Sequence, residues 1–174
     1  MINSIEEAYQ LLDSMNAPNR LKTHVRLVGE AAEILIQKCE DLGLNLDFNF
    51  IHMGVAIHDI GKIVHHQEMT GPGSNHEPEG ERILLNKGVS PKLARVCLSH
   101  ARWQEMECST EELIIALADS LWKGRRAELL ELEIIDRFAR KLNLDRWEIF
   151  SELDLAFEDI ASGGHERLER SISG

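Results

Sequence analysis

The sequence predicts an all-α protein, one helical bundle of about seven to nine helices. Apolar residues recur at spacings of three and four, the helical period, along most of the 174 residues. Runs of β-branched residues alternating with polar ones, the mark of strands, are scarce. Four prolines and several turn-like clusters cut the chain into segments of helix length, with no internal repeat or low-complexity tract. The first predicted helix covers 2–15. Pro18 suits a first helical turn and opens a long segment that Gly43 stops, with Leu21, Val25, Val28, Ala32 and Leu35 as its apolar stripe. Asp47 stands at the N-cap of a predicted helix over 48–64, in which Gly54 and Gly61 lower the intrinsic propensity. The segment 65–75, HHQEMTGPGSN, has no apolar period and contains Gly-Pro-Gly, so it is a loop of a length that often carries function. A short helix over 77–86 is closed by Gly88. Ser90 and Pro91 open the next, and Ser109 with Glu112 forms a capping-box pattern before another. Segments 126–142 and 146–161 and a short tail from His165 complete a single domain over 1–174, in which the helices after 126 buttress a core over about 20–126.

With 43% apolar and 28% charged residues, a chain of this length buries roughly two-thirds of its unfolded surface and folds alone. A formal charge of -11 opposes a sequence-independent hold on polymeric nucleic acid, whereas a few cations in a pocket can still favour a small phosphate. Cys39, Cys97 and Cys108 form an odd set without CxxC spacing, which points to reduced thiols rather than a disulfide framework or zinc knuckle. The N-terminus lacks a basic region followed by an apolar one, and the longest apolar run, over 113–118, is too short to span a bilayer. The expected setting is the cytoplasm, without a membrane partner.

The informative residues are four of the histidines and two aspartates. His24 has Leu21, Leu27, Val28 and Ala31 on its helix face, so it projects toward the core, where an imidazole needs a partner. His58 is followed directly by Asp59, and Gly54 and Gly61 lie four residues before and three after. The missing side chains leave room on that face for an ion. Asp119 sits in the apolar run LIIALADSLW, a setting in which an unpaired carboxylate is costly and demands a cation. His100 follows Val96 and Cys97 by one turn, and His76 stands at the start of the helix after the Gly-Pro-Gly loop, so both can face one cavity. His52 and His65, like His66 and His165, suggest ordinary structural or loop positions.

The ordered series His24, His58-Asp59, His76, His100, Asp119, with HDIGK over 58–62, resembles the HD-domain metal-dependent phosphohydrolase superfamily. The resemblance implies that His24, His58, Asp59 and Asp119 hold a first divalent ion. It also implies that His76 and His100 mark the dinuclear branch, in which Asp59 bridges two ions. Imidazoles and carboxylates without a thiolate suit Fe, Mn, Zn, Ni or Co. HEPEG over 76–80, SHARW over 99–103 and LADSLWKGRR over 117–126 are loosely similar to the YqeK-type hydrolases of diadenosine tetraphosphate, from whose pattern SLWKGRR departs. The GYP motif of cyclic-di-GMP phosphodiesterases is absent.

The resemblance implies hydrolysis of a phosphate ester or anhydride, of a nucleotide or similar small molecule, by a metal-bound hydroxide. Arg20, Lys62 and Lys123 each lie one turn from a proposed ligand, and Arg125 and Arg126 follow at a helix end, where guanidinium suits bidentate phosphate contact. Lys62 ranks first and Arg126 second among these substrate contacts. Trp103, and also Trp122, stand where they can stack on a base or fill core. Glu77 is a candidate proton donor or orienter that the helix dipole explains equally well, and together with Asp59 and Lys62 it completes the catalytic candidates. Two other readings stay open, a di-iron oxygenase on the same fold and a non-catalytic nucleotide-binding domain. A homodimer is compatible with the sequence.

Overall fold

The computed structural model describes residues 1–173. Ten α-helices follow one another: α1 (Ile5–Ser14), α2 (Asn19–Asp41), α3 (Phe48–Ile57), α4 (His76–Asn86), α5 (Pro91–Ala94), α6 (Val96–Arg102), α7 (Thr110–Leu121), α8 (Glu128–Leu142), α9 (Arg146–Ser162) and α10 (Gly164–Ser173). Eight of them run for ten residues or more, as the periodicity predicts, and no strand occurs among the described residues. No helix is long and apolar enough to cross a membrane.

Helices α2, α3 and α7 pack on one another at the centre. Their Leu21, Val25, Val28, Ile51, Ile57, Ile115 and Leu117 are fully buried, each stabilising the fold by roughly 1.5–3 kcal/mol relative to an exposed side chain. Helices α4 and α6 pair beside this trio, α8 and α9 pair with each other and pack on α7 and α2, and α10 packs against α2 and α9. The predicted caps are present. The Asp47 side chain accepts from the Phe50 amide, Ser90 accepts from Leu93, and Ser109 with Glu112 forms a reciprocal capping box. Gly43 and Gly88 end α2 and α4 in left-handed backbone, each with φ +76°. The three cysteines are buried and free, and burial pushes the Cys39 thiol up to about 12.

Two expectations need correction. The helix from Phe48 does not continue to 64; it stops at Ile57, the His58-Asp59 pair occupies a turn, and a 3₁₀ turn covers Ile60–Ile63. Gly54 and Gly61 make room for protein rather than for an ion. A Cβ at Gly54 would collide with Ile115, and one at Gly61 would collide with the His76 carbonyl oxygen and the Gly80 amide. Gly61 therefore lets the turn after Asp59 approach α4 backbone to backbone. The 65–75 loop contains a further 3₁₀ turn, His66–Met69, and the tail is the full helix α10.

Candidate metal centre

Five segments bring the six candidate ligands together: α2 carries His24, the turn after α3 carries His58 and Asp59, α4 begins at His76, α6 carries His100, and the last turn of α7 carries Asp119. Asp59, 1% exposed, lies at the middle. Its Oδ2 is 2.9 Å from His24 Nε2 and 3.6 Å from His58 Nε2, while its Oδ1 is 3.2 Å from His76 Nε2 and 3.5 Å from His100 Nε2. Asp119 Oδ1 completes the first group, 3.3 Å from His58 Nε2 and 3.6 Å from His24 Nε2. Two sets of donor atoms therefore share one carboxylate: His24, His58, Asp59 and Asp119 on one side, and Asp59, His76 and His100 on the other.

The second ring nitrogens explain why the Nε2 atoms face inward. His58 Nδ1 lies 2.7 Å from the Val55 carbonyl oxygen, His100 Nδ1 lies 3.0 Å from that of Val96, and His76 Nδ1 lies 2.5 Å from Glu68 Oε2. Each of these contacts fixes the ring and favours the tautomer with a free Nε2 lone pair. Although His24 Nε2 is close to Asp59, it is buried without a hydrogen-bond partner, and so is Asp59 Oδ1. Buried polar atoms are seldom left unpaired, and a divalent cation satisfies both. The residues therefore fit such an ion.

The charge balance agrees. Burial alone would raise the Asp59 carboxyl, but His58, His24 and His76 hold it well below the ordinary carboxylate range. Burial is likewise outweighed at Asp119, chiefly by His58, and its carboxyl is lowered. Burial disfavours a charged His58, yet Asp59 and Asp119 push it up to about 9. The site is thus built to receive positive charge.

A cleft of about 730 Å³ opens over this centre. Arg20, Lys62, Glu77, Lys123 and Arg125 line it, as do Gly71, Pro72 and Gly73 of the loop after Asp59 and Leu168 and Ser171 of α10. Lys62 Nζ is 2.6 Å from Asp59 Oδ2. Glu77 accepts from Arg102 Nε at 2.5 Å, so it is an ion-paired carboxylate rather than a free acid. Trp103 lies outside this cleft, in a side pocket of about 230 Å³ that also meets Lys123 and Arg125. Trp122 is buried with its ring edge-on to His24, centroids 5.0 Å apart.

Arg126 departs from expectation. Its guanidinium donates to Glu131 (2.5 Å), Asp154 (2.6 Å) and Glu158 (2.6 Å), which ties the start of α8 to α9. Three carboxylates occupy the fork that a phosphate would need, and Arg126 does not line the main cleft. The sequence reading missed Glu68 altogether. This loop carboxylate, with a side chain 2% exposed, accepts from the amides of Asn75 and His76 as well as meeting the His76 ring. A single Glu in an aperiodic stretch gives no signal of this kind, and Asn75, a favoured N-cap residue by type, hides the need for another acceptor at the start of α4.

A family model described as HD domain matches residues 22–122, more than half of the chain and an interval that contains all six candidate ligands. The chain belongs to the HD domain family. Membership brings this HD domain into the metal-dependent phosphohydrolase superfamily, whose members bind divalent metals. A Ribonuclease Y from Pseudothermotoga lettingae is 34% identical over 108 residues, covering 60% of this chain and 20% of that protein. The match therefore spans about a fifth of the relative's length. No solved structure matches the chain.

Proposed function

We propose that this HD domain is a two-metal phosphohydrolase that cleaves a phosphate ester or anhydride of a nucleotide or similar small molecule. The reading rests on the way Asp59 turns one oxygen to His24 and His58 and the other to His76 and His100. When bound, divalent ions in such a site acidify water toward neutrality and offset phosphate charge. The chain's own residues bind and orient. His24, His58, His76 and His100 offer Nε2 donors, and Asp59 and Asp119 supply the anionic oxygens. Lys62 stands beside Asp59 at the floor of the cleft, where its ammonium can meet a phosphate oxygen. Arg20, Lys123 and Arg125 line the same cleft, and no carboxylate among the described residues pairs with them. In a chain of formal charge -11, cations gathered in one cleft select a small anion over a polymer. Glu77 lines the cleft next to His76 in the chain, held in place by Arg102.

The name of the relative, a ribonuclease, supports a second reading in which the scissile ester joins two nucleotides. One experiment separates the readings. Protein purified without chelator is assayed for metal per chain, and the same sample is given nucleotides, a dinucleotide and single-stranded RNA, anaerobically with Mn²⁺ or Co²⁺. Two ions per chain with turnover of the small substrates is the expected result. Cleavage confined to RNA favours the ribonuclease reading. Two irons per chain, no hydrolysis, and O₂ consumption when the sample is run again in air overturn the hydrolase in favour of an oxygenase, and failure to bind metal leaves a binding domain.

A further inference from the structure

We infer that Glu68 is a positioning residue for the second metal ion, which it joins to the fold of the loop that roofs the cleft. The inference rests on the two-metal reading above. Glu68 lies in the His66–Met69 turn, on the chain segment between Asp59 and His76. One carboxylate there does three things. Its Oε2 lies 2.5 Å from His76 Nδ1, which fixes the ring with Nε2 aimed at Asp59 Oδ1. The same oxygen accepts from the His76 amide at 3.0 Å, and Oε1 accepts from the Asn75 amide at 3.2 Å, so Glu68 caps the start of α4 in place of Asn75, whose side chain makes no cap. The loop finally folds down on the carboxylate, because a Cβ at Gly73, where φ is +151°, would collide with it.

The loop residues Gly71, Pro72 and Gly73 line the cleft, and His76 is one of two imidazoles serving the second ion. His24, His58 and Asp119, which serve the first ion, make no contact with Glu68. Loss of Glu68 should therefore weaken one ion and spare the other. Outer hydrogen-bond partners of metal-bound histidines change metal affinity by roughly 10–100-fold.

The test is calorimetric titration of the chelated full chain with Mn²⁺, comparing wild type with Glu68→Gln and Glu68→Asp, with the melting temperature of each chelated protein as a fold control. Two binding steps are expected in the wild type. Glu68→Gln should weaken only one of them, roughly 10–100-fold, while the chelated variant melts close to the wild type. Glu68→Asp, which keeps the charge but shortens the reach, should fall between the two. Two unchanged steps in Glu68→Gln overturn the inference alone, as does a parallel loss of both steps with a collapsed melting temperature. A wild type that takes up a single Mn²⁺ overturns the two-metal reading, and this inference with it.

Discussion

Asp59 and Arg126 mark the two extremes of what a single residue discloses. Asp59 could be read as a shared ligand from the HD pair and its ordered companions, and the structure turns its two oxygens to separate pairs of imidazoles. Asp59→Ala should therefore abolish uptake of both ions, whereas His76→Ala should remove one and leave the other, as counted by elemental analysis per chain. Arg126 sits next to Arg125 in sequence and reads as a phosphate contact. What it meets is decided by Asp154 and Glu158, a turn apart on a helix whose placement no local pattern gives. Arg126→Ala leaves the buried Glu131 with only the Ala127 amide and no cation, and should cost on the order of 3 kcal/mol in urea unfolding. KM for a small phosphate ester should stay unchanged. Arg125→Ala, in contrast, should raise KM with little effect on stability. The six candidate ligands stood out through their ordered series and its resemblance to the HD pattern, although His58 and Asp59 fall in a turn rather than on the expected helix. Glu68 was not, because its partners come within reach only after the loop folds back.

Among the elements, caps and stops were legible and the break after α3 was not. Ser90, Ser109, Gly43 and Gly88 act through their own neighbours in the chain, so their roles can be read locally. The end of α3 is set from outside, by the approach of α4 to the turn at Gly61. Gly61→Ala puts a methyl group against the backbone of His76 and Gly80, neither of which can swing aside. Overpacking of this kind costs about 1–3 kcal/mol, and it should also move His76 from Asp59 and weaken one metal step, measured by urea unfolding and Mn²⁺ titration. Helix α10 is held differently. Arg170 donates to both oxygens of Glu30 on α2 and holds that carboxyl below its ordinary value. A lowered pKa gives stability that is present above the unfolded value and is lost as pH falls through the folded one. The protection of the α10 amides against hydrogen exchange in the chelated protein, taken relative to the intrinsic rate at each pH, should fall as the pH drops below about 4.5. In Glu30→Gln that protection should already be slightly lower at neutral pH, as befits a pair whose two side chains are nearly half exposed, and should lose this dependence.

For the molecule as a whole, apolar periodicity made the all-α class legible, and net charge argued against a polymeric anion. Neither could reveal a cleft whose cations stand apart from the acidic surface, since that contrast arises only when α2, α7 and the turn after Asp59 converge. The same convergence has a kinetic consequence. The donor atoms come from five segments spread between residues 24 and 119, so both halves of the site exist only after the distant parts of the chain have met. Contacts completed after the folding barrier slow unfolding without hastening folding. In stopped-flow urea jumps, saturating Mn²⁺ should lower the unfolding rate and leave the refolding rate as it is in chelator. The metals would then act as a latch on a molecule already assembled, and the lifetime of the folded chain would follow the supply of metal around it.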